Sequence, residues 1–215
     1  MSQIALLAGA TGLIGSSLLR RLLDDPAYAQ VKVLTRRPLA LTHPRLLPIY
    51  TDLTTVSELG ATLSADVVFC CLGTTRRKAG SKAAFERVDY HMVVDLARAA
   101  HGAGARRFLV VSSLGASPRS PSFYARVKGR MELALRDIGF DTLHILRPSL
   151  LLGSRSERRP AEELAQRLAP AVAPLFRGRW LPYRPVPADE VAEALQRLAA
   201  RRDSGAHIHT LPLAA

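Results

Sequence analysis

The chain has 215 residues, 48% of them hydrophobic, and carries a formal net charge of +12 at pH 7. This length and apolar content fit one α/β domain with one sizeable core, and no window offers the roughly 18 uninterrupted apolar residues of a membrane span. Residues Ser2 to Ala8 run straight into Gly9 without a basic region, an apolar stretch of signal length or a cleavage site, so the expectation is a soluble, cytoplasmic protein.

The charge leaves three readings open: nucleic-acid binding, attraction for an anionic cofactor, or a surface rich in arginine. Its basic residues fall in short scattered groups (Arg36-Arg37, Arg76-Arg77-Lys78, Arg106-Arg107, Arg158-Arg159, Arg201-Arg202), not in one stripe with interleaved aromatics. Nucleic acid is therefore the minority reading.

The first strand is expected at Ile4 to Ala8, and Gly9-Ala10-Thr11-Gly12-Leu13-Ile14-Gly15 follows it at once. In that context Gly9 permits a tight turn, Gly12 a close backbone approach to a pyrophosphate, and Gly15 the packing of a helix on a strand. Thr11, Leu13 and Ile14 complete the loop, and the first helical amides face the phosphates. The helix places Ile14, Leu18 and Leu22 in one row with Leu19 and Leu23 beside it, and Asp24-Asp25-Pro26 closes it.

The second strand, Val31 to Thr35, ends on Arg36 and Arg37, where an NAD-selective site carries an acid for the ribose 2′-hydroxyl. Arginine forks suit a phosphate, so NADP(H) is favoured, against the alternative of two solvated loop arginines. After the third strand, Leu46 to Tyr50, Asp52 and Leu53 either border an adenine or form an exposed turn.

The fourth strand is expected at Val67 to Leu72 and holds the only two cysteines, Cys70 and Cys71, on opposite faces. They read as buried small hydrophobes in a reducing compartment, since a zinc site needs spaced ligands. A helix over Phe85 to Ala100, a strand over Phe108 to Ser112, a helix over Tyr124 to Ile138 and a strand over Thr142 to Leu146 follow. Apolar runs without polar alternation, separated by helices, predict a doubly wound parallel sheet of the Rossmann type in a single domain.

Beyond Pro148 the pattern loosens. Prolines at 160, 170, 174, 182, 185 and 187 punctuate two short helices, Ala161 to Leu168 and Asp189 to Arg201, and residues 148–187 are expected to form a small lid over the strand ends. Trp180 either lines that lid or anchors it to the core. His207 and His209 share one face of a short terminal strand but lack a third ligand, and His91 and His101 read as helix surface or cap, so no metal is expected.

Tyr124 and Lys128 are one helical turn apart on one face, downstream of a strand that ends in Ser112-Ser113. With the glycine loop, this set resembles the short-chain dehydrogenase/reductase superfamily over nearly the whole chain. It is most similar to the small atypical branch of Tat-interacting-protein-like oxidoreductases. The resemblance is carried by Cys71-Leu72-Gly73-Thr74-Thr75-Arg76-Arg77-Lys78-Ala79-Gly80, Arg87-Val88-Asp89, Ser112-Ser113-Leu114-Gly115-Ala116, Tyr124-Ala125-Arg126-Val127-Lys128-Gly129 and Arg147-Pro148.

The resemblance implies that Ser113, rather than Ser112, orients a carbonyl or hydroxyl, that Tyr124 passes the proton, and that Lys128 binds the nicotinamide ribose. It also implies that Leu72, Gly73, Thr74, Arg147 and Pro148 run beside the cofactor. A homodimer through the helices at Phe85 to Ala100 and Tyr124 to Ile138 is a further implication, although atypical members vary. Asp89 stands where many extended members have Asn, and the long C-terminal domain of the sugar-nucleotide epimerases is missing, so their substrates are not carried over. Two functions follow: NADP(H)-dependent oxidation or reduction of a small molecule, or a non-catalytic NADP(H) sensor that reports redox state to a protein partner. The intact Ser113, Tyr124 and Lys128 set favours the enzyme, because a sensor needs no proton donor.

Overall fold

The computed structural model describes residues 2–152, 184–201 and 203–213. The strands are β1 (Gln3–Ala8), β2 (Tyr28–Thr35), β3 (Leu46–Tyr50), β4 (Val67–Cys70), β5 (Arg107–Val111), β6 (Thr142–Arg147), β7 (Leu151–Leu152), β8 (Val186–Pro187) and β9 (Gly205–Thr210). Seven of them form one parallel sheet in the order β3-β2-β1-β4-β5-β6-β9, and β7 pairs separately with β8. The helices are α1 (Leu13–Asp24), α2 (Arg76–Ala79), α3 (Lys82–Glu86), α4 (Met92–Gly102), α5 (Phe123–Arg136) and α6 (Ala188–Ala199). This is the expected single α/β domain of Rossmann type.

Alternating strand residues explain why the sheet is buried on both sides. Ala5, Leu7, Val31, Val33, Phe69 and Leu109 face α1 and α6, while Leu6, Ala8, Val68, Phe108, Val110 and Ile145 face α4 and α5. The two cysteines divide in the same way, with Cys70 in the second core and Cys71 packed against the first. Burial pushes both thiols up, Cys70 to about 11, so neither is a thiolate at neutral pH.

Two differences from the sequence expectation are informative. The helix expected over Phe85 to Ala100 is instead α3, a widened π turn over Arg87–His91, and α4. That turn carries Asp89 into the interior at 1% exposure, which a regular 3.6-residue pattern does not reveal. The fourth strand ends at Cys70: the Cys71 amide makes the last bond to β1, donating to the Ala8 carbonyl at 2.9 Å, and the chain then leaves the sheet beside Gly9. The short terminal strand expected at His207 and His209 is present as β9, which lies on β6 with Thr142 opposite Gly205 and closes that edge. The helix expected at Ala161 to Leu168, Trp180 and most of the expected lid lie outside the described residues; only its two ends are seen, joined by β7 and β8.

His144 of β6 is buried at 1% exposure, and its Nδ1 lies 3.0 Å from Nε2 of His209 on β9. Burial first, then His209, His207 and Arg201, lower its pKa to about 4, against a smaller opposing effect of Asp203. A base depressed in the folded state binds fewer protons than in the unfolded chain between pH 6.5 and 4. The associated stability is complete above about 6.5 and is lost as pH falls towards 4, by up to about 3 kcal/mol at roughly 1.4 kcal/mol per pKa unit. Urea unfolding midpoints should therefore fall between pH 7 and 4.5 in the native chain and fall less in His144→Gln; equal slopes would remove His144 as the cause.

Candidate active site

The strand order reverses between β2 and β4 on either side of β1, so the carboxyl ends of β1 and β4 open a crevice. Its floor is backbone. Gly9 has φ of +85°, and a Cβ there would lie 2.6 Å from the Cys71 carbonyl carbon. A Cβ at Gly15 would lie 2.1 Å from the Gly9 carbonyl oxygen, so α1 can start where it does only with glycine at that position. Gly12 caps α1 without a side-chain bond, and no acid occupies the first turn. The first backbone bond of α1 runs from the Ser16 amide to the Gly12 carbonyl at 2.9 Å, so the preceding amides point out of the helix start. An uncapped helix start with a glycine cradle fits a dinucleotide pyrophosphate. Thr11 is exposed, Leu13 is half-buried and Ile14 belongs to the core.

The opposite wall of the crevice begins with Leu72, Gly73 and Thr74 after β4. Behind Gly73 lies a buried ion pair: Lys128 Nζ is 2.8 Å from Asp89 Oδ1, with side-chain exposures of 4% and 1%. Asp89 Oδ2 accepts the Thr74 amide at 2.8 Å, and Lys128 also donates to the Val111 carbonyl at 3.4 Å. A Cβ on Gly73 would lie 3.4 Å from Asp89 Oδ1 and 3.8 Å from Lys128 Nζ, so the Gly73 backbone lies directly against the pair. Burial pulls the Lys128 pKa down, but the Asp89 carboxylate, aided by Tyr124, outweighs it, leaving the pKa raised and the ammonium charged.

Helix α5 carries both Tyr124 and Lys128. It starts at Ser122, whose hydroxyl accepts the Ala125 amide, and Gly129 brings it against the loop after β5, where a Cβ would lie 2.2 Å from the Ser117 carbonyl carbon. The Tyr124 ring packs on Phe85 with centroids 5.5 Å apart. At the end of β5 the two serines part. Ser112 is buried and its hydroxyl donates to Glu132, whereas Ser113 is half-buried and bonds only its neighbour's carbonyl, Leu114, at 3.2 Å. Glu132 is itself buried and takes Arg147 in a bidentate pair at 2.9 and 2.5 Å. The Arg147 guanidinium is thus committed to α5, while Pro148 supplies the carbonyl that accepts the Leu114 amide at 2.9 Å.

Among the residues singled out in the sequence, the glycine loop, Gly73, Thr74 and Lys128 converge at the crevice. Arg36 and Arg37 are exposed after β2, where the Thr35 hydroxyl shapes the turn by donating to the Arg37 carbonyl at 2.7 Å. Neither guanidinium has an ion-pair partner among the described residues. Asp52 accepts the amide and hydroxyl of Thr54 at 2.9 and 2.6 Å, which lowers its pKa, and Leu53 is buried at φ of +68°. Asp89 and Glu132 have ion-pair roles that the sequence alone does not assign. Glu132 could have been noticed four residues beyond Lys128, an acid on the buried face of an amphipathic helix. Among the described residues, no three His, Cys, Asp or Glu side chains converge to hold a metal ion.

The family model described as NAD(P)H-binding matches residues 9–167. The chain belongs to this NAD(P)H-binding family. Among curated proteins, it is 36% identical to the mitochondrial protein fmp52 of Aspergillus clavatus over 185 residues, covering 83% of this chain and 79% of the relative. It is 34% identical to FMP52 of Candida albicans, covering 92% and 88%, and 37% identical to HTATIP2 of Rattus norvegicus, covering 74% and 67%. Among solved structures, MoeE5 in complex with UDP-glucose and NAD superposes with a TM-score of 0.70 at 24% identity, covering 95% of this chain and 74% of that one. That likeness is one of fold. The expected cytoplasmic location does not stand: several fungal relatives are named as mitochondrial proteins.

The crevice of this NAD(P)H-binding chain makes a direct demand on Gly15. Gly15→Ala should cost about 1–3 kcal/mol, as overpacking of a tight contact does, and weaken cofactor binding at least tenfold. Urea unfolding and cofactor-fluorescence titration measure the two effects; a variant with native stability and affinity would show that the Gly9 carbonyl can yield.

Proposed function

We propose that the chain is an NADP(H)-dependent oxidoreductase that interconverts a carbonyl and an alcohol on a small molecule through Ser113, Tyr124 and Lys128. The observation that carries this reading is the buried Lys128 ammonium, held 2.8 Å from Asp89 directly behind Gly73 and one helical turn from Tyr124. A desolvated, compensated cation beside a cofactor crevice favours a functional site, and its place one helical turn from Tyr124 favours an enzyme over a binding module, which needs no proton donor.

When bound, the nicotinamide supplies or accepts a hydride. Ser113, half-buried and bonded only to an adjacent carbonyl, can turn its hydroxyl towards the substrate oxygen and hold it. In reduction, the Tyr124 Oη–H bond breaks and its proton goes to that oxygen. An ammonium has three donors, and with Asp89 and the Val111 carbonyl engaged, Lys128 keeps one for a ribose hydroxyl. Arg36 and Arg37, exposed and without ionic partners among the described residues, suit a 2′-phosphate at the end of β2.

NADPH should bind at least tenfold tighter than NADH, about 1.4 kcal/mol, and Arg36→Ala with Arg37→Ala should erase most of that difference. Titration of both cofactors against both proteins decides it, and equal affinities in the native chain would detach these arginines from the cofactor.

A screen of aldehydes and ketones, followed by NADPH absorbance, tests turnover. On any substrate found, Tyr124→Phe should lower the rate by about 10² or more with NADPH affinity nearly intact, whereas Lys128→Ala should damage both. Tight NADPH binding with no turnover on any carbonyl, or full turnover by Tyr124→Phe, would overturn the assignment.

A further inference from the structure

The segment between β4 and the widened turn Arg87–His91 is anchored at both ends to the crevice. At one end the Thr74 amide donates to Asp89 at 2.8 Å, and at the other Phe85 of α3 packs on the Tyr124 ring with centroids 5.5 Å apart. From Leu72 to Phe85 this stretch carries four cations, Arg76, Arg77, Lys78 and Lys82, and no acid. We propose that Arg76, Arg77 and Lys78 bind an anionic group of the substrate, a carboxylate or a phosphate, so that the carbonyl compound turned over at Tyr124 is itself an anion. This names the substrate class of the proposed function and rests on that reading for the place of the reacting carbonyl.

The three cations are presented by α2, a turn of four residues none of which is buried. Such a turn gains nothing from a core, and a helix this short does not form by itself. Its ends hold it. The Thr75 hydroxyl accepts the Lys78 amide at 3.2 Å, and Gly80 closes the turn at φ of +80° with its amide on the Arg76 carbonyl at 3.1 Å. Neighbouring like charges repel, yet none of the three has an ionic or hydrogen-bonding side-chain partner among the described residues. The next acid along the chain, Glu86, is taken by Arg130 at 2.5 Å, and Lys82 lies 5.7 Å from the centre of the Phe123 ring. A solvated surface needs no capped turn to carry its charge, whereas guanidinium forks fixed beside a reacting site suit a carboxylate or phosphate oxygen pair.

The cofactor does not call for these cations. In the proposed reading its pyrophosphate meets the start of α1 and a 2′-phosphate meets Arg36 and Arg37 after β2, and β2 and β4 lie on opposite sides of β1. Helix α2 follows β4, and the α3 that it leads into packs on Tyr124, so its charges belong to the end of the crevice where the substrate reacts.

Three aldehydes with one reacting group and different charge test the proposal: para-formylbenzoate, para-formylphenyl phosphate and the neutral methyl ester of the first. Their binding to the full chain saturated with NADP⁺, which has no hydride to give, is measured by equilibrium dialysis. The native chain is compared with the triple variant Arg76→Gln, Arg77→Gln, Lys78→Gln, and with a control that removes the same charge elsewhere, Arg20→Gln, Arg98→Gln, Arg136→Gln, all exposed and on α1, α4 and α5.

At least one anionic aldehyde should bind about tenfold tighter than the ester, and the one preferred tells carboxylate from phosphate. The triple variant should lose that preference and hold NADP⁺ as the native chain does, and the control should keep both. No anion binding, no preference over the ester, a preference that survives in the triple variant, or an equal loss in the control overturns the proposal. So does a loss of NADP⁺ affinity by about tenfold in the triple variant, which would give these cations to the cofactor. Turnover with NADPH separates the two readings. Anion preference with none of the aldehydes reduced would refute the proposed function and leave the cation site standing, while reduction of all three with equal KM would do the reverse.

Discussion

The carbonyl of Gly9 occupies the place that a side chain at position 15 would need, and much of the molecule follows from that contact. Gly9 in turn reaches its position at φ of +85°, with the Cys71 carbonyl where its own Cβ would be. Three segments, the end of β1, the start of α1 and the end of β4, therefore meet backbone to backbone. A wall made this way presents amides and carbonyls but no side-chain chemistry. Polar side chains have to come from elsewhere, and Ser113 after β5, Asp89 in the turn before α4 and Lys128 on α5 are the ones placed beside it.

Helix α5 delivers them with its register fixed twice. Lys128 and Glu132, one turn apart and each 3% exposed, carry opposite charges, and each finds its counter-ion off the helix, in Asp89 and Arg147. Breaking a buried pair by removing one partner costs about 3–5 kcal/mol, so a slip of the helix that separated both pairs would cost several kcal/mol. Ser112, bonded to Glu132, is part of this frame, and Ser113, the next residue, is left half-exposed beside it. The same acid that secures the helix thus separates a structural serine from an available one.

Much of the fold was legible because parallel strands covered on both faces are apolar runs, as within β1, β4 and β5, and the runs Val31 to Leu34 of β2 and Leu143 to Leu146 of β6 are broken only at Lys32 and His144. The edge strand β9 is harder to read, since His207, His209 and the exposed Ile208 give no core pattern; it forms through pairing with β6 over a buried His144. The glycine loop was legible because each glycine answers a local steric need. Asp89 and Glu132 were not, because an ion-pair partner is set by tertiary packing and leaves no local period. The π turn that buries Asp89 departs from the helical spacing by one residue, too little to disturb the apolar pattern on either side. The cytoplasmic expectation failed for a different reason: it rested on signals not seen, and an absent pattern imposes no physical constraint on where a chain resides.

The distribution of charge divides the labour at the crevice. Among the described residues, the buried ionic side chains at the site are Asp89, Lys128 and Glu132, and every one is in contact with an opposite charge. The rim differs: Arg36 and Arg37 are exposed and without ionic partners among the described residues. Uncompensated positive charge therefore lies at the rim, where salt screens it over about 8–10 Å, on a chain whose formal net charge is +12. The buried ions of the interior are paired with one another or with Arg147, so none of them is left uncompensated. Rim and interior can then change independently, one by substitution of solvated arginines at little cost to folding, the other only by altering a buried pair on which the position of α5 depends.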